Sequence, residues 1–328
     1  LTPLFGQTDV RNSSISRNLV IKKDLEIQLG LISDLISAFS TENDFDALKD
    51  RLKYYQELLQ TDIKADTENI VQTFILSEIH PLFQSIKLQN IEKNQLVTDY
   101  FKKLDSRTDM VYDFPKKFDE SLSSINRNLA DILDKRQEEQ QQRFPFYYER
   151  FKTDGVEHNM YIGSSIAPDL TYDPIFLKNL RLWQLRVLCE SELEYNQFRK
   201  NLEFSLDVSS LILVYSTPIS IRFRMDEKRF DVDGSYNARY EMIKKRIDKS
   251  TIKNSSERIT QPGKISIIFS QEKERHDYLQ LIKILQNQNI LESNVEELEV
   301  EDLQGINGLK ALRVGINFEA KEVDYEFI

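Results

Sequence analysis

The residues with the greatest potential for chemistry lie between Ile219 and Ile247, in ISIRFRMDEKRFDVDGSYNARYEMIKKRI. We predict a ligand-binding site there, formed by Arg222, Arg224, Lys228, Arg229, Asp231, Asp233 and Arg239. Guanidinium groups pair with phosphate or carboxylate through two parallel hydrogen bonds, so this cluster suits an anion or a nucleotide. The simpler alternative is a solvated, salt-bridged strand face, which is what mixed-sign charge runs usually form. Its acidic partners would be Asp226, Glu227, Asp231 and Asp233.

The two aspartates of the DVDG turn offer a second kind of chemistry. Asp231 and Asp233 lie on one side of an extended segment, where their oxygens could hold Mg²⁺ or Ca²⁺. The spacing does not match the calcium-binding loop of an EF-hand. Asp233 or Ser235 is more simply the cap of a helix that begins near Tyr236. We therefore expect no metal site and no cofactor.

The remaining reactive side chains lack partners that the sequence can identify. His158 lies in a predicted strand, and a general base there would need a hydrogen-bonding partner that cannot be located from the sequence. Cys189 lies beside Leu185 and Leu188 in a predicted helix, where it would be a small buried apolar group. The glycines form no phosphate-binding loop and no nucleophile elbow. We predict no catalytic residues, and the sequence favours a non-enzymatic protein.

The second half of the chain, residues 143–328, predicts an α+β domain. A hairpin turns at Thr153–Gly155, and Asp173-Pro174 opens a long helix. Four segments rich in β-branched and aromatic residues are predicted strands, namely residues 209–216, 219–225, 265–269 and 309–318. Helices are predicted over 235–248 and 272–287. This order predicts helices that cover a mixed or antiparallel sheet.

The first half, residues 1–142, predicts an all-α helical bundle. Residues 1–12, which contain Pro3 and Gly6, are predicted to be irregular. A series of amphipathic helices is predicted to follow them. Pro81 should kink or stop the third helix. The last helix, from Pro115 to about Gln142, carries a heptad seam formed by Phe118, Leu122, Ile125, Leu129 and Ile132. It ends in KRQEEQQQR, where we place the domain boundary.

Composition excludes several classes of protein. The net charge of −10 disfavours nucleic acid and anionic membranes as partners, because both attract positive surfaces. With one cysteine, no disulfide can form within the chain, which fits a reducing, cytoplasmic setting. No apolar run approaches the roughly 20 residues that a membrane span needs. The start, LTPLFGQTDV, has neither a Met nor a signal-peptide pattern, so we expect a fragment of a longer protein.

Several segments together resemble a known family. They are FGQTDVRNSS, YYERFKTDGVEHNMYIG, DPIFLKNLRLWQL, STPISIRFRMDEKRFDVDGSYNARYEMIKKRIDK, ITQPGKISI and VEDLQGINGLKALRV. The chain resembles the C-terminal region of the long GAF-domain-containing proteins of Bacteroidetes-type bacteria. The resemblance implies an upstream GAF-type sensory domain and a cytoplasmic, regulatory setting, and it supplies no catalytic residues. Residues 1–142 are themselves too helical to be that GAF domain.

These observations favour a non-enzymatic regulatory or interaction module of a larger cytoplasmic sensory protein. Its expected partners are the upstream GAF-type domain of the same chain and a protein partner, or a second copy that forms a homodimer through the helical half. The alternative is an anion- or nucleotide-binding domain, perhaps a metal-assisted enzyme, that uses the cluster from Arg222 to Arg239 with Asp231 and Asp233 as metal ligands.

Overall fold

The computed structural model describes residues 1–39, 45–61, 63, 65–89, 91–226, 229–233, 235–303, 305–320 and 323. The chain divides into two compact units. The sheet unit comprises Leu1–Arg11 and Leu122–Ile328, and the helical unit comprises Asn12–Ser121. The sequence prediction placed one boundary after residue 142. The observed division instead has two boundaries, because the helical unit is inserted after the first strand.

The sheet unit is built on a seven-stranded sheet. Its strands are β1 (Thr2–Val10), β2 (Tyr147–Thr153), β3 (Gly155–Ile162), β4 (Val208–Val214), β7 (Lys264–Phe269), β8 (Leu291–Glu299) and β9 (Lys310–Ile316). They lie in the order β2-β3-β1-β4-β7-β9-β8. Neighbouring strands are antiparallel, apart from β4 and β7, which pair in parallel from Ser210↔Ile265 to Leu213↔Ile268. Strands β5 (Ser220–Arg224) and β6 (Arg229–Asp233) form a separate antiparallel hairpin.

The position of β1 shows that the predicted fold class is wrong. β1 pairs with β3 on one side and with β4 on the other, so the first residues form a central strand of the sheet. The chain is therefore a mixed α/β fold, and an all-α bundle over 1–142 followed by an α+β domain is not what it forms. Pro3 and Gly6 concealed the strand, since both residues are unusual in strand interiors. Pairing with β4 starts only at Leu4, after the proline, and a Cβ at Gly6 would collide with the ring of His158.

Helices cover both faces of the sheet, and strand alternation decides which residues meet them. Helices α7 (Pro174–Phe198) and α9 (Glu272–Asn287) share one core cluster with Ile212 and Val214. Helix α8 (Ser235–Ile247) shares another with Leu211 and Leu213. Successive residues of β4 thus enter opposite cores, as the two-residue period of a strand requires. The predicted start of α7 is confirmed, because Asp173 Oδ1 accepts the backbone N–H of Ile175 at 2.8 Å ahead of the helix.

The helical unit contains α1 (Ser13–Phe39), α2 (Asp46–Leu58), α3 (Ala65–Phe74), α4 (His80–Gln89), α5 (Ile91–Phe101) and the start of α6 (Phe114–Gln141). Its core holds Leu29, Ile32, Ile75 and Phe83. A π-helical segment, Ile75–Ile79, joins α3 to α4, and the N–H of His80 bonds to the carbonyl of Ile75. Pro81 was predicted to kink or stop the helix. The helix does not stop there, because it continues through this wider turn beside the proline, whose missing N–H interrupts the regular ladder.

Helices α6 and α1 are the longest that the described residues form. Helix α6 has 28 residues, and its predicted seam of Phe118, Leu122, Ile125, Leu129 and Ile132 is buried. Helix α1 has 27 residues and carries charged side chains along its outer face. Over the described ranges, no helix is long and apolar enough to cross a membrane.

Candidate functional site

Part of the predicted charged cluster lies on the hairpin of β5 and β6. Arg222 Nη2 donates to Asp233 Oδ2 at 2.8 Å, and the two side chains are 72% and 47% exposed. Arg224 Nε lies 4.0 Å from Asp226 Oδ1, also in solvent. The Arg222–Asp233 pair matches the alternative of a salt-bridged strand face. An ion pair so exposed contributes about 0–1 kcal/mol to stability.

The other members of the predicted cluster are not brought to this ion pair by the described contacts. Arg239 is exposed on α8. Arg229 and Asp231 belong to the backbone of β6, with Asp231 opposite Arg222 in the register, and their side chains lie outside the described set. Lys228 lies outside the described residues altogether. Among the four predicted residues whose side chains are described, an ion pair joins Arg222 to Asp233.

His158 and Cys189 are core residues of the sheet unit. His158 Nε2 lies 3.0 Å from Gln184 Nε2, and its ring is fully buried between β3 and α7. Burial lowers the pKa of His158 to about 3, so the imidazole is neutral at physiological pH. Burial raises the pKa of the Cys189 thiol, so this side chain is also held in its neutral form. Neither side chain reaches the surface, where a substrate would have to meet it.

A buried hydrogen-bonded chain crosses from α7 to the centre of the sheet. Ser210 Oγ donates to Glu192 Oε1 at 2.7 Å and lies 2.9 Å from Thr8 Oγ1. Burial raises the pKa of Glu192 to about 8, against the opposing effect of the Ser210 hydrogen bond. Glu192 is therefore mainly protonated at neutral pH, and a neutral carboxyl satisfies the hydroxyls of β4 and β1 without burying a charge.

A second group of ionisable residues surrounds Asp9, near the end of β1. Burial, together with the nearby carboxylates of Asp248 and Asp154, raises the pKa of Asp9 to about 7, although Lys249 and Arg258 act in the opposite direction. In the described part of the chain, no group of three or more His, Cys, Asp or Glu side chains is placed to hold a metal ion. The arrangement around Asp9 can exchange a proton near neutral pH.

A partly open cavity of about 300 Å³ lies in the helical unit. Its walls come from α1, α3, the π-helical segment, the loop before α6 and the first turns of α6. The lining residues are Arg17, Ile21, Asp24, Leu25, Glu68, Gln72, Leu76, Thr108, Met110, Val111, Tyr112, Pro115 and Asp119. This volume is at the lower end of the range that small-molecule sites occupy. Most of the accessible wall surface is apolar, as in such sites, although about half of the lining residues carry polar side chains.

Two polar residues of α1 hold the loop that closes the cavity. The carboxylate of Asp24 accepts the backbone N–H groups of Asp113 and Phe114 at 2.8 and 3.3 Å. One turn further on, Gln28 Oε1 accepts the N–H of Val111 at 2.8 Å. Asp24 is 3% exposed, and burial raises its pKa. These bonds fix the wall against α1, so the cavity is preformed.

Sequence reasoning missed this cavity because no motif marks it. One signal was present: Asp24 and Gln28 lie on the apolar stripe of α1 that contains Val20, Leu25 and Leu29. Polar side chains on the buried face of an amphipathic helix need hydrogen-bond partners, and here those partners are backbone groups of the loop. The partners themselves lie more than 80 residues away in the chain, so periodicity alone could not identify them.

Comparisons with known proteins give the following results. No family model matches the sequence, and no curated protein matches it. Among solved structures, the guanylyl cyclase Cya2 is similar with a TM-score of 0.34 and 10% identity, over 63% of this chain and 84% of that chain. Two structures of adenylate cyclases from Trypanosoma brucei in their monomeric state give TM-scores of 0.31 and 0.30 at 11% and 15% identity, over 64% of this chain and 87% and 84% of theirs. At these scores the similarity assigns neither a family nor an activity.

Proposed function

We propose that the chain is a non-enzymatic, ligand-responsive regulatory module of a larger cytoplasmic sensory protein. The observation that carries this proposal is the preformed cavity of about 300 Å³ in the helical unit. The resemblance to GAF-domain-containing proteins supports the same setting. The proposed partners of the module are an upstream GAF-type domain of the same chain and either another protein or a second copy of this chain, bound through the helical half.

The position of the cavity explains how a ligand would act. Its walls belong to five parts of the helical unit that are separated in the chain by α2, α4 and α5, so one bound molecule would bridge them. A molecule that binds only the folded unit raises its stability by mass action. It would also favour the conformation in which the loop carrying Met110 and Val111 is held against α1. Such a shift in population is the means by which a small molecule regulates a module without chemistry.

The test uses the four methionines of the chain as site-specific probes. Met110 lines the cavity, Met160 is fully buried in the sheet, and Met225 and Met242 are exposed at 80% and 46%. A protein labelled with ¹³C at the methionine methyl groups would be titrated with a set of small-molecule fragments. We expect at least one fragment to shift the Met110 resonance in a saturable manner and to leave the Met160 resonance in place.

A pair of substitutions on α1 controls for non-specific effects. Ile21→Phe places extra volume in the cavity wall, whereas Ile27→Phe makes the same change at a position that is 39% exposed and outside the lining. The Ile21→Phe protein should lose the Met110 response, and the Ile27→Phe protein should keep it. If no fragment perturbs Met110 at millimolar concentration, the proposed function is wrong.

An anion or nucleotide site at the charged hairpin is the weaker proposal, because Arg222 is already paired with Asp233 in solvent. Met225 reports on that surface in the same spectra. Nucleotides added with and without Mg²⁺ should leave its resonance unchanged. A saturable shift that Arg222→Gln abolishes would favour the anion-binding alternative instead.

A further inference from the structure

We propose that the cavity binds a small amphipathic cation, meaning an ammonium group attached to a compact apolar body. The inference rests on the ligand-binding function proposed above and names the class of ligand. It follows from three features of the lining: the apolar walls, the excess of carboxylates and the supply of hydrogen-bond acceptors.

The apolar part of the lining calls for an apolar body. It consists of Ile21, Leu25, Leu76, Met110, Val111 and Pro115. Leu25, Met110 and Pro115 are buried, and Leu76 is 41% exposed at the rim. The free energy of binding becomes more favourable in proportion to the apolar surface of the ligand that leaves water on entering such a site. A purely polar ion of similar size would gain nothing from these walls.

The charges of the lining call for a cation. Glu68, Asp119 and the more buried Asp24 contribute carboxyl groups, against the single guanidinium of Arg17. That guanidinium lies 5.4 Å from the centre of the Phe118 ring. Asp24 is buried and Glu68 is partly buried, so their charges interact more strongly than charges in bulk water, whereas Asp119 is exposed. The excess of acidic groups attracts a cation and repels an anion.

The hydrogen-bond acceptors of the lining favour a ligand that carries hydrogen-bond donors. Glu68 Oε1 accepts one bond from Gln72, and Asp119 Oδ2 accepts one from the hydroxyl of Tyr112, both at 3.0 Å. An ionised carboxylate has about four acceptor sites and no donor, so both groups can accept further N–H bonds. An ammonium group supplies three N–H donors, and charged hydrogen bonds of this kind are roughly twice as strong as neutral ones.

The experiment compares three probes of nearly the same shape: 2-phenylethylammonium, 2-phenylethanol and phenylacetate. Each is titrated at about pH 7 against the methionine-labelled full chain, with Met110 as the reporter of the cavity. We expect the ammonium probe to bind at least about tenfold more tightly than the alcohol, because charge-assisted bonds distinguish the two. Phenylacetate should bind most weakly.

Two matched substitutions test the carboxylate. Asp119→Asn removes one charge and keeps an oxygen for the Tyr112 hydroxyl, and Glu120→Gln makes the same charge change at the next residue, outside the lining. Asp119→Asn should weaken the ammonium probe several-fold and leave the alcohol unchanged, while Glu120→Gln should affect neither. If the alcohol or phenylacetate binds as tightly as the ammonium probe, the inference is wrong although the cavity still binds ligands. If none of the three moves Met110 while another fragment does, the inference is also wrong and the proposed function stands.

Discussion

Replacing Glu192 with glutamine should make the sheet unit more stable at neutral pH, although the substitution is in its core. The glutamine side chain keeps an oxygen in the place where Ser210 Oγ now donates at 2.7 Å. The substitution removes the group that must take up a proton when the chain folds. It therefore changes the proton balance of folding and little else.

The magnitude follows from the two pKa values. Burial raises the pKa of Glu192 from 4.5 to about 8. Because the native pKa is the higher one, the folded state is, with respect to this group, most stable below pH 4.5, where the carboxyl is protonated in both states. Stability is lost as the pH rises from 4.5 towards 8, because only the unfolded carboxyl ionises in that range. At pH 7 the unfolded carboxyl is ionised and the native one is protonated, which costs about 3 kcal/mol. We expect Glu192→Gln to gain about that amount at pH 7 and almost nothing near pH 4.

Other groups complicate the pH dependence of the wild-type protein. The pKa of His158 is lowered to about 3, so its contribution has the opposite sign and is lost as the pH falls from 6.5 towards 3. The pKa of Asp9 is raised to about 7, which adds to the effect of Glu192. Since His158 and Asp9 are present in both proteins, the difference between wild type and variant isolates Glu192.

Urea denaturation followed by tryptophan fluorescence measures this difference in the stability of the sheet unit. Trp183 is the only tryptophan, is 1% exposed and lies on α7 together with Glu192. The exposed Glu138, also in the sheet unit, supplies the control Glu138→Gln, which should follow the wild type at every pH. A Glu192→Gln protein that is less stable at pH 7, or whose advantage does not change between pH 4 and pH 8, would refute the reasoning.

Three further substitutions test other parts of the structure. Gly6→Ala should destabilise the sheet unit by more than about 1 kcal/mol, because its Cβ would collide with the ring of His158; an unchanged urea midpoint would contradict that packing. Ile32→Ala, at a fully buried position of the helical unit, should cost about 2–5 kcal/mol in circular-dichroism melts, and a cost below about 1 kcal/mol would place Ile32 outside the core. Arg222→Gln should cost at most about 1 kcal/mol, because its partner Asp233 is 47% exposed; a larger loss would mean that the hairpin is stabilised by this pair.

The elements that sequence could identify are those whose signals are local. Helix α9 was predicted with its observed bounds, and Asp173-Pro174 marked the start of α7, since periodicity and capping depend on residues close together in the chain. The seam of α6 was found for the same reason. Strands β6 and β8 were missed, because both are rich in acidic or polar residues and obtain their partners from other segments.

The larger error concerned β1, and its cause is tertiary. A central strand that contains Pro3 and Gly6 cannot be recognised from its own sequence. It is explained by its pairing with β3 and β4 and by the ring of His158, which occupies the space beside Gly6. The cavity was missed for a comparable reason. The charge run around Arg222 was visible, whereas the cavity depends on contacts from Asp24 to residues 113 and 114. Charge density along a sequence does not show whether the residues enclose a space.

The most direct test of the proposed function is the methyl resonance of Met110 during titration with 2-phenylethylammonium. We predict a saturable shift that Ile21→Phe abolishes and that Ile27→Phe preserves, with the Met160 resonance unmoved. A Met110 resonance that stays in place with this probe and with every fragment tested would contradict the account, because the cavity would then not be a binding site.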